Sequence, residues 1–287
     1  MHMDASCKHG MKKAHAHGAH DHAHDHTHEH GHEHSHAHSS VQHGESVLVL
    51  RPSTGIAGDM LVAGLAGLSG ADQALLDAMT ADIGMPELAS GSFAVREHFV
   101  SAVGGLQGNV TLPHEHAHRS FTDIKKIIEA SGMEKEAREL ALNAFARIAE
   151  AEGAVHGKTA ASVTFHEVGA LDSILDICLA SSLFTRLAPA RFICGPLPVC
   201  DGEIRCAHGE IPSPAPAVLR LLHGIPVHGL PCKGETVTPT GLALLLAFGA
   251  EFGPWPAMVL EREVIAYGHR VFPGVPNGAI FAFGKAC

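Results

Sequence analysis

The chain has 287 residues, 46% hydrophobic and 17% charged, which is enough for one large domain or two small ones around a substantial core. A formal charge of −10 at pH 7 excludes a general electrostatic attraction to nucleic acid or to anionic membranes. No apolar run approaches the ~18 residues that a transmembrane helix needs.

Seven cysteines without CxxC spacing argue against a disulfide framework and for a reducing compartment. Lys12 and Lys13 are followed by histidines instead of an apolar signal segment, so the expected location is the cytoplasm. The 31 glycines and 16 prolines point to many tight turns and backbone-lined sites.

Residues 1–45 read as a disordered, low-complexity tail, because Gly, Ala, Ser and charged residues cannot bury enough apolar surface to offset chain entropy. Fifteen of the 25 histidines fall within residues 1–43. The densest run is His15, His17, His20, His22, His24, His26, His28, His30, His32, His34, His36 and His38. Neutral imidazole suits nickel, zinc and copper, and a flexible chain with histidine at nearly every second position can wrap several rings around one ion. The interspersed Asp and Glu set this run apart from an unbroken purification tag.

Structure is expected from Ser46 to Cys287. Val47–Leu50 reads as a short buried strand, followed by a loop over Arg51–Gly58. Helical spacing then covers Asp59–Leu68 and Asp72–Ile83. Phe93–Phe99 and Gly104–Leu112 read as a hairpin joined through a glycine-containing turn. His114–His118 fall in a polar loop, and Ser120 with Asp123 reads as a capping box that opens a helix. A longer helix is expected over Glu134–Glu152, ending at Gly153, and another from Asp172 to Leu187. Short strands and ordered loops fill Phe192–Pro216. Helices at Ala215–Leu222 and Thr240–Phe248 and strands at Met258–Ile265 and Ala279–Phe283 complete a mixed α/β domain, a sheet with flanking helices.

Several clusters carry chemistry. In His166-Glu167-Val168-Gly169-Ala170-Leu171-Asp172-Ser173-Ile174-Leu175-Asp176, a helix would put Asp172 and Asp176 on one face, with His166 and Glu167 just upstream. The plain alternative is a cap at Asp172 and a solvated Asp176. His114, His116 and His118 alternate, so an extended strand would turn three imidazoles to one side. Thr54-Gly55-Ile56-Ala57-Gly58-Asp59-Met60 is a glycine turn between strand and helix, where backbone N–H groups suit phosphate. His208-Gly209-Glu210-Ile211-Pro212-Ser213-Pro214 and Glu235-Thr236-Val237-Thr238-Pro239-Thr240-Gly241 both lead into helix N-termini and suit an anion, or simply cap. Cys194, Cys200 and Cys206 recur every six residues and are read as inert, partly buried thiols.

In this order the motifs resemble one family. Ser53–Met60, His118–Ile124, Ala149–Gly157, Phe165–Ile177, His208–Pro216, Glu235–Gly241, Tyr267-Gly268 and Pro276-Asn277 are similar to the nickel insertion proteins that complete the nickel-pincer nucleotide of lactate racemase. The resemblance spans residues 47–284. It implies insertion of nickel into pyridinium-3,5-bisthiocarboxylic acid mononucleotide, by a cyclometallase of the lyase class serving a nickel-pincer client enzyme. It further implies His166, Glu167 and Asp172 as delivery site or base, with His166 and Asp176 among the metal ligands. Gly55, Gly58, Asp59, His208, Thr238 and Thr240 are expected at the nucleotide.

Full-length members carry a C-terminal domain associated with CTP and manganese or magnesium, so CTP is expected to act through a separate partner subunit. The family's usual Asp-Cys before the first glycine motif stands here as Arg51-Pro52. The alternative reading is a nickel-storage or delivery protein with the same fold and no insertion chemistry.

Overall fold

A computed structural model describes residues 44–113, 119–165, 168–206 and 209–287. The tail histidines, His114, His116, His118, His166, Glu167 and His208 lie outside the described residues.

In chain order the elements are β1 (Ser46–Pro52), α1 (Gly58–Ser69), α2 (Gln73–Asp82), β2 (Ser92–Val100), β3 (Val103–Thr111), β4 (Arg119–Ser120), α3 (Phe121–Ala130) and α4 (Lys135–His156). They continue with β5 (Thr164–Phe165), α5 (Leu171–Leu187), β6 (Arg191–Cys194), β7 (Leu197–Asp201), β8 (Glu203–Cys206), β9 (Gly209–Pro212) and α6 (Pro216–Leu221). Last come β10 (Val227–Lys233), α7 (Pro239–Ala247), β11 (Glu251–Phe252), β12 (Met258–Tyr267) and β13 (Ala279–Ala286). The chain is mixed α/β, as the sequence implies.

The main sheet has seven strands in the order β11-β6-β1-β13-β12-β3-β2. Strands β6 and β11 run parallel to β1, which is antiparallel to β13. Since β12 is antiparallel to β13 and parallel to β3, it runs in the direction of β1. The carboxyl ends of β1, β6, β11 and β12 therefore share one edge of the sheet.

The apolar run of β1 explains its central place. Leu48 and Leu50 enter the main core beneath the helices, while Val47 and Val49 join Ile193 and Ala282 in a smaller cluster. All four β1 side chains are essentially inaccessible, and each such burial stabilises the fold by about 1.5–3 kcal/mol.

Helix α1 lies low on the sheet. A Cβ at Gly64 would come within 2.5 Å of the Phe281 ring, and one at Gly67 within 2.6 Å of Leu106. Helix α5 ends just before β6 and α7 just before β11, while α1 begins just after β1. All three therefore run against the parallel strands, with their N-termini at the shared carboxyl edge.

Caps follow the sequence closely. Asp72 accepts from Leu75 N–H, Ser120 and Asp123 form a full capping box, and Thr238 accepts from Gly241 N–H with Pro239 in the first turn.

Two expectations change. The β2–β3 turn is Ser101-Ala102, both at positive φ (49° and 65°), and contains no glycine. Helix α4 runs through Gly153 to His156 and stops at Gly157, whose φ of 65° gives the left-handed cap. Gly153 is small for packing, since a Cβ there would stand 2.7 Å from the Lys158 carbonyl. Strand β10, a stretch to which the sequence reading assigns no element, pairs in parallel with β7.

Candidate functional site

The carboxyl edge of the sheet gathers most of the described motif residues. Leaving β1, the chain passes through Gly55, whose φ is +143°. A Cβ there would stand 1.7 Å from the Thr236 carbonyl oxygen, so only glycine fits. Ile56 N–H donates to Thr236 O at 2.9 Å, and Thr238 N–H donates to Ile56 O at 3.1 Å. These bonds join the loop after β1 to the N-terminus of α7, two motifs about 180 residues apart in the chain.

Gly58 opens α1 and backs onto helix α5: a Cβ would fall 2.6 Å from Asp176 Oδ2. Its small size makes room for Asp176, and Gly58 lines neither of the clefts described below. Asp176 accepts the backbone N–H of Asp59, yet its Oδ1 is cut off from solvent with no hydrogen-bond partner. Burial, then the nearby Asp59 and Asp172 carboxylates, push Asp176 well above the usual carboxylate range. Asp172 is exposed, and its Oδ1 accepts Ser173 N–H at 2.7 Å. The expected shared face is therefore split: Asp176 turns in and Asp172 out.

Asp59 is mostly buried, with 16% side-chain exposure. Burial raises its pKa, opposed by His269 and by Met60 N–H, which donates to Oδ1 at 2.8 Å. His269 Nε2 lies 3.8 Å from Asp59 Oδ2 and is largely exposed. Asp59 and His269 line a cleft of about 260 Å³ with Thr54, Gly55, Thr236, Tyr267, Gly268 and Arg270.

A second cleft of about 480 Å³ is lined by Thr164, Phe165, Val168, Ser173, Arg205, Cys206, Thr240 and the Glu152–His156 pair. Glu235 and Thr238 line both clefts, so the two adjoin. Phe165 and Val168 flank positions 166–167 in the chain, and Cys206 precedes 207–208. In the second cleft Thr238 Oγ1 meets Thr240 Oγ1 at 3.0 Å while it caps α7.

Buried Arg119 joins two further motifs. Strand β4 pairs with β5 through Arg119↔Phe165, and the Arg119 guanidinium donates to Gly169 O at 3.0 Å. This fixes the turn that starts α5 and thereby the position of Asp176.

Gly55, Asp59 and Thr238 thus line the smaller cleft and Thr238 and Thr240 the larger, whereas Gly58 and Asp172 line neither. His269, Glu235, Arg205 and Arg270 were not singled out individually, although Glu235 and Tyr267-Gly268 belonged to quoted motifs. Arg51 and Pro52 line neither cleft. Arg51 donates to Gly253 O at 2.7 Å and lies over the Trp255 ring. Among the described residues no group of three or more His, Cys, Asp or Glu is gathered to hold a metal ion. No helix among them is long and apolar enough to cross a membrane.

Residues 48–283 match the family model described as nickel insertion protein. Relatives named as nickel insertion proteins include one from Syntrophotalea carbinolica, 37% identical over 81% of this chain and 58% of the relative. Another, from Geobacter sulfurreducens, is 40% identical over 78% of this chain and 57% of its own length. The pyridinium-3,5-bisthiocarboxylic acid mononucleotide nickel insertion protein of Desulfitobacterium hafniense is 38% identical over 75% of this chain and 52% of its length. The chain thus spans little more than half the length of these relatives. No solved structure matches it. With a family model covering most of the chain, and relatives so named aligned along the same stretch, this chain belongs to the nickel insertion protein family.

Proposed function

We propose that the chain takes part in inserting nickel, as substrate, into pyridinium-3,5-bisthiocarboxylic acid mononucleotide, and that the two adjoining clefts bind the nucleotide. The observation that carries this reading is Asp59. It is a mostly buried carboxylate with a raised pKa, on the smaller cleft and beside an unsatisfied Asp176.

Metallation of the ring carbon releases a proton, and a carboxylate whose pKa is lifted toward neutrality is the better acceptor for it. In this arrangement the pyridinium ring occupies the smaller cleft, its positive charge facing Asp59 and Glu235. The phosphate lies in the larger cleft, against Arg205, Ser173, Thr240 and the N-terminus of α7. Asp59 therefore acts on the ring, which shares its cleft.

Asp176 is a positioning residue that holds the Asp59 backbone and confines its side chain. His166 and Glu167, with Asp172 nearby, deliver the ion. Their chain neighbours Phe165 and Val168 on the larger cleft support that role. His208 joins the nucleotide contacts by the same reasoning from Cys206. The tail histidines, with His114, His116 and His118, concentrate nickel. Any CTP dependence, with manganese or magnesium, is assigned to a C-terminal partner. A nickel-pincer enzyme is the client, and the cytoplasm is the setting.

The test is to incubate the chain with nickel and the bisthiocarboxylate nucleotide, with and without CTP and a C-terminal partner, and to follow the metallated product by mass spectrometry. Wild type should form product in at least one combination. Asp59→Asn should bind nucleotide but form none, and Arg205→Ala should raise KM. Nickel binding that depends wholly on residues 1–43, with no product in any combination, would establish the storage reading instead.

A further inference from the structure

Two cysteines outside the clefts form a built pair. Strands β7 and β10 run parallel, with Asp201 opposite Lys233. Cys200 and Cys232 immediately precede these partners, so they occupy neighbouring positions on the two strands. The ladder is bulged between Gly229 and Lys233, and Asp201 and Lys233 are both exposed. Cys200 is buried at 2% exposure, while Cys232 is half-buried and reachable from solvent.

Adjacent strands lie about 4.8 Å apart, within the roughly 4.4–6.8 Å between Cα atoms that a disulfide spans. The Cys200 and Cys232 side chains are near neighbours, and Thr236, whose hydroxyl donates to Pro198 O at 2.9 Å, stands beside Cys200. Burial, with Cys232 adding to it, pushes the Cys200 thiol up to about 11, so Cys232, the more exposed of the two, is the sulfur a peroxide meets first. Cys178 and Cys194, by contrast, are buried with thiols pushed up to about 12.

We infer that Cys200 and Cys232 are an oxidation site, closing to an intramolecular disulfide when a peroxide reaches Cys232. The Cys232 thiolate attacks one peroxide oxygen and breaks the O–O bond, giving a sulfenic acid and, after protonation, water. The Cys200 sulfur then attacks the Cys232 sulfur, and the hydroxyl leaves with the Cys200 proton as a second water. Two thiols lose two electrons in total, and one hydrogen peroxide becomes two waters. A dithiol reverses the bond by exchange.

The closure is felt at the cleft. It draws Cys200 toward Cys232 beside Thr236, the residue whose carbonyl holds Ile56 N–H and crowds Gly55. Cys232 also lies three residues before Glu235, at the boundary of the two clefts. The inference concerns thiol chemistry and stands apart from the nickel reading.

The test treats the reduced full chain with hydrogen peroxide, blocks remaining thiols with iodoacetamide, and reads intact mass and a peptide map. The expected result is loss of two hydrogens, one cross-linked peptide pair joining Cys200 to Cys232, and full reversal by dithiothreitol. Cys232→Ser should abolish the cross-link. Cys200→Ser should leave a Cys232 sulfenic acid that dimedone traps. Should Cys200→Ser fail to fold, the wild-type map and Cys232→Ser still decide. A folded, peroxide-treated wild type without the Cys200–Cys232 link, or one that cross-links through Cys206 or Cys287 instead, overturns the inference.

Discussion

Asp176→Asn should make the protein more stable at neutral pH, because the wild-type carboxylate is held where its charge is costly. Its Oδ1 has neither solvent nor a hydrogen-bond partner, and Asp59 and Asp172 add like charge. A buried polar atom left unsatisfied costs about 1–3 kcal/mol. Asparagine keeps an oxygen for the Asp59 N–H and can turn its NH₂ toward the Asp59 carboxylate. The expected gain is therefore about 1–3 kcal/mol at pH 7, or a rise in Tm of about 2–12 °C for a domain of this size.

The gain should depend on pH in one direction. The folded Asp176 carboxyl binds its proton more tightly than an unfolded one, whose pKa is near ~3.9. Its favourable contribution is therefore complete below that value and is lost as pH rises through the raised folded value. Asp176→Asn removes that loss, so the difference between variant and wild type should shrink steadily on acidification. Urea denaturation at several pH values between 4 and 8 measures it. A variant less stable than wild type at pH 7, or a difference that does not change with pH, would refute the argument that charge burial strains this position.

Gly55→Ala should cost about 3 kcal/mol or more, since the substitution combines a positive φ with a collision against the Thr236 carbonyl, and a shifted denaturation midpoint checks it. Ser120→Ala should lose about 1 kcal/mol by removing one half of the Ser120–Asp123 capping box, measurable by the same urea titration. Deleting residues 1–43 should lower the nickel bound per chain in equilibrium dialysis while leaving the insertion rate at saturating nickel unchanged. An equal fall in both would assign the tail to the chemical step.

Local signals made the helices legible. Asp72, Ser120 and Thr238 announce helix starts because a side-chain oxygen beside a free N–H works within three residues, without help from the rest of the fold. Glycine was less reliable. Gly153 looked like a stop signal but serves close packing within α4, and the β2–β3 turn reaches positive φ through Ser101 and Ala102. Strand order was not legible, because parallel neighbours such as β12 and β3 are paired by tertiary packing and not by any local pattern.

The site divides in the same way. Asp172 and Asp176 were read as sharing a face, but residues four apart differ by about 40° around a helix, enough to leave one in solvent and turn the other inward. The meeting of Asp176 with Asp59 depends on α5 lying against α1, a contact between segments more than 100 residues apart. Arg119 lies within the His118–Ile124 motif, but its grip on Gly169 required the β4–β5 pairing to be seen.

The two glycines beneath α1 have a consequence for how variation in this chain should be read. Gly64 and Gly67 set the height at which the helix rides on Phe281, Leu106 and Val264. Asp59 is anchored to the same rigid rod, about one and a half turns upstream of Gly64. A bulkier residue at Gly64 would act as a shim, lifting the rod and carrying the carboxylate off its seat against Asp176. Such a variant would lose activity while every residue of the site kept its identity. A survey of variants confined to the clefts would miss it.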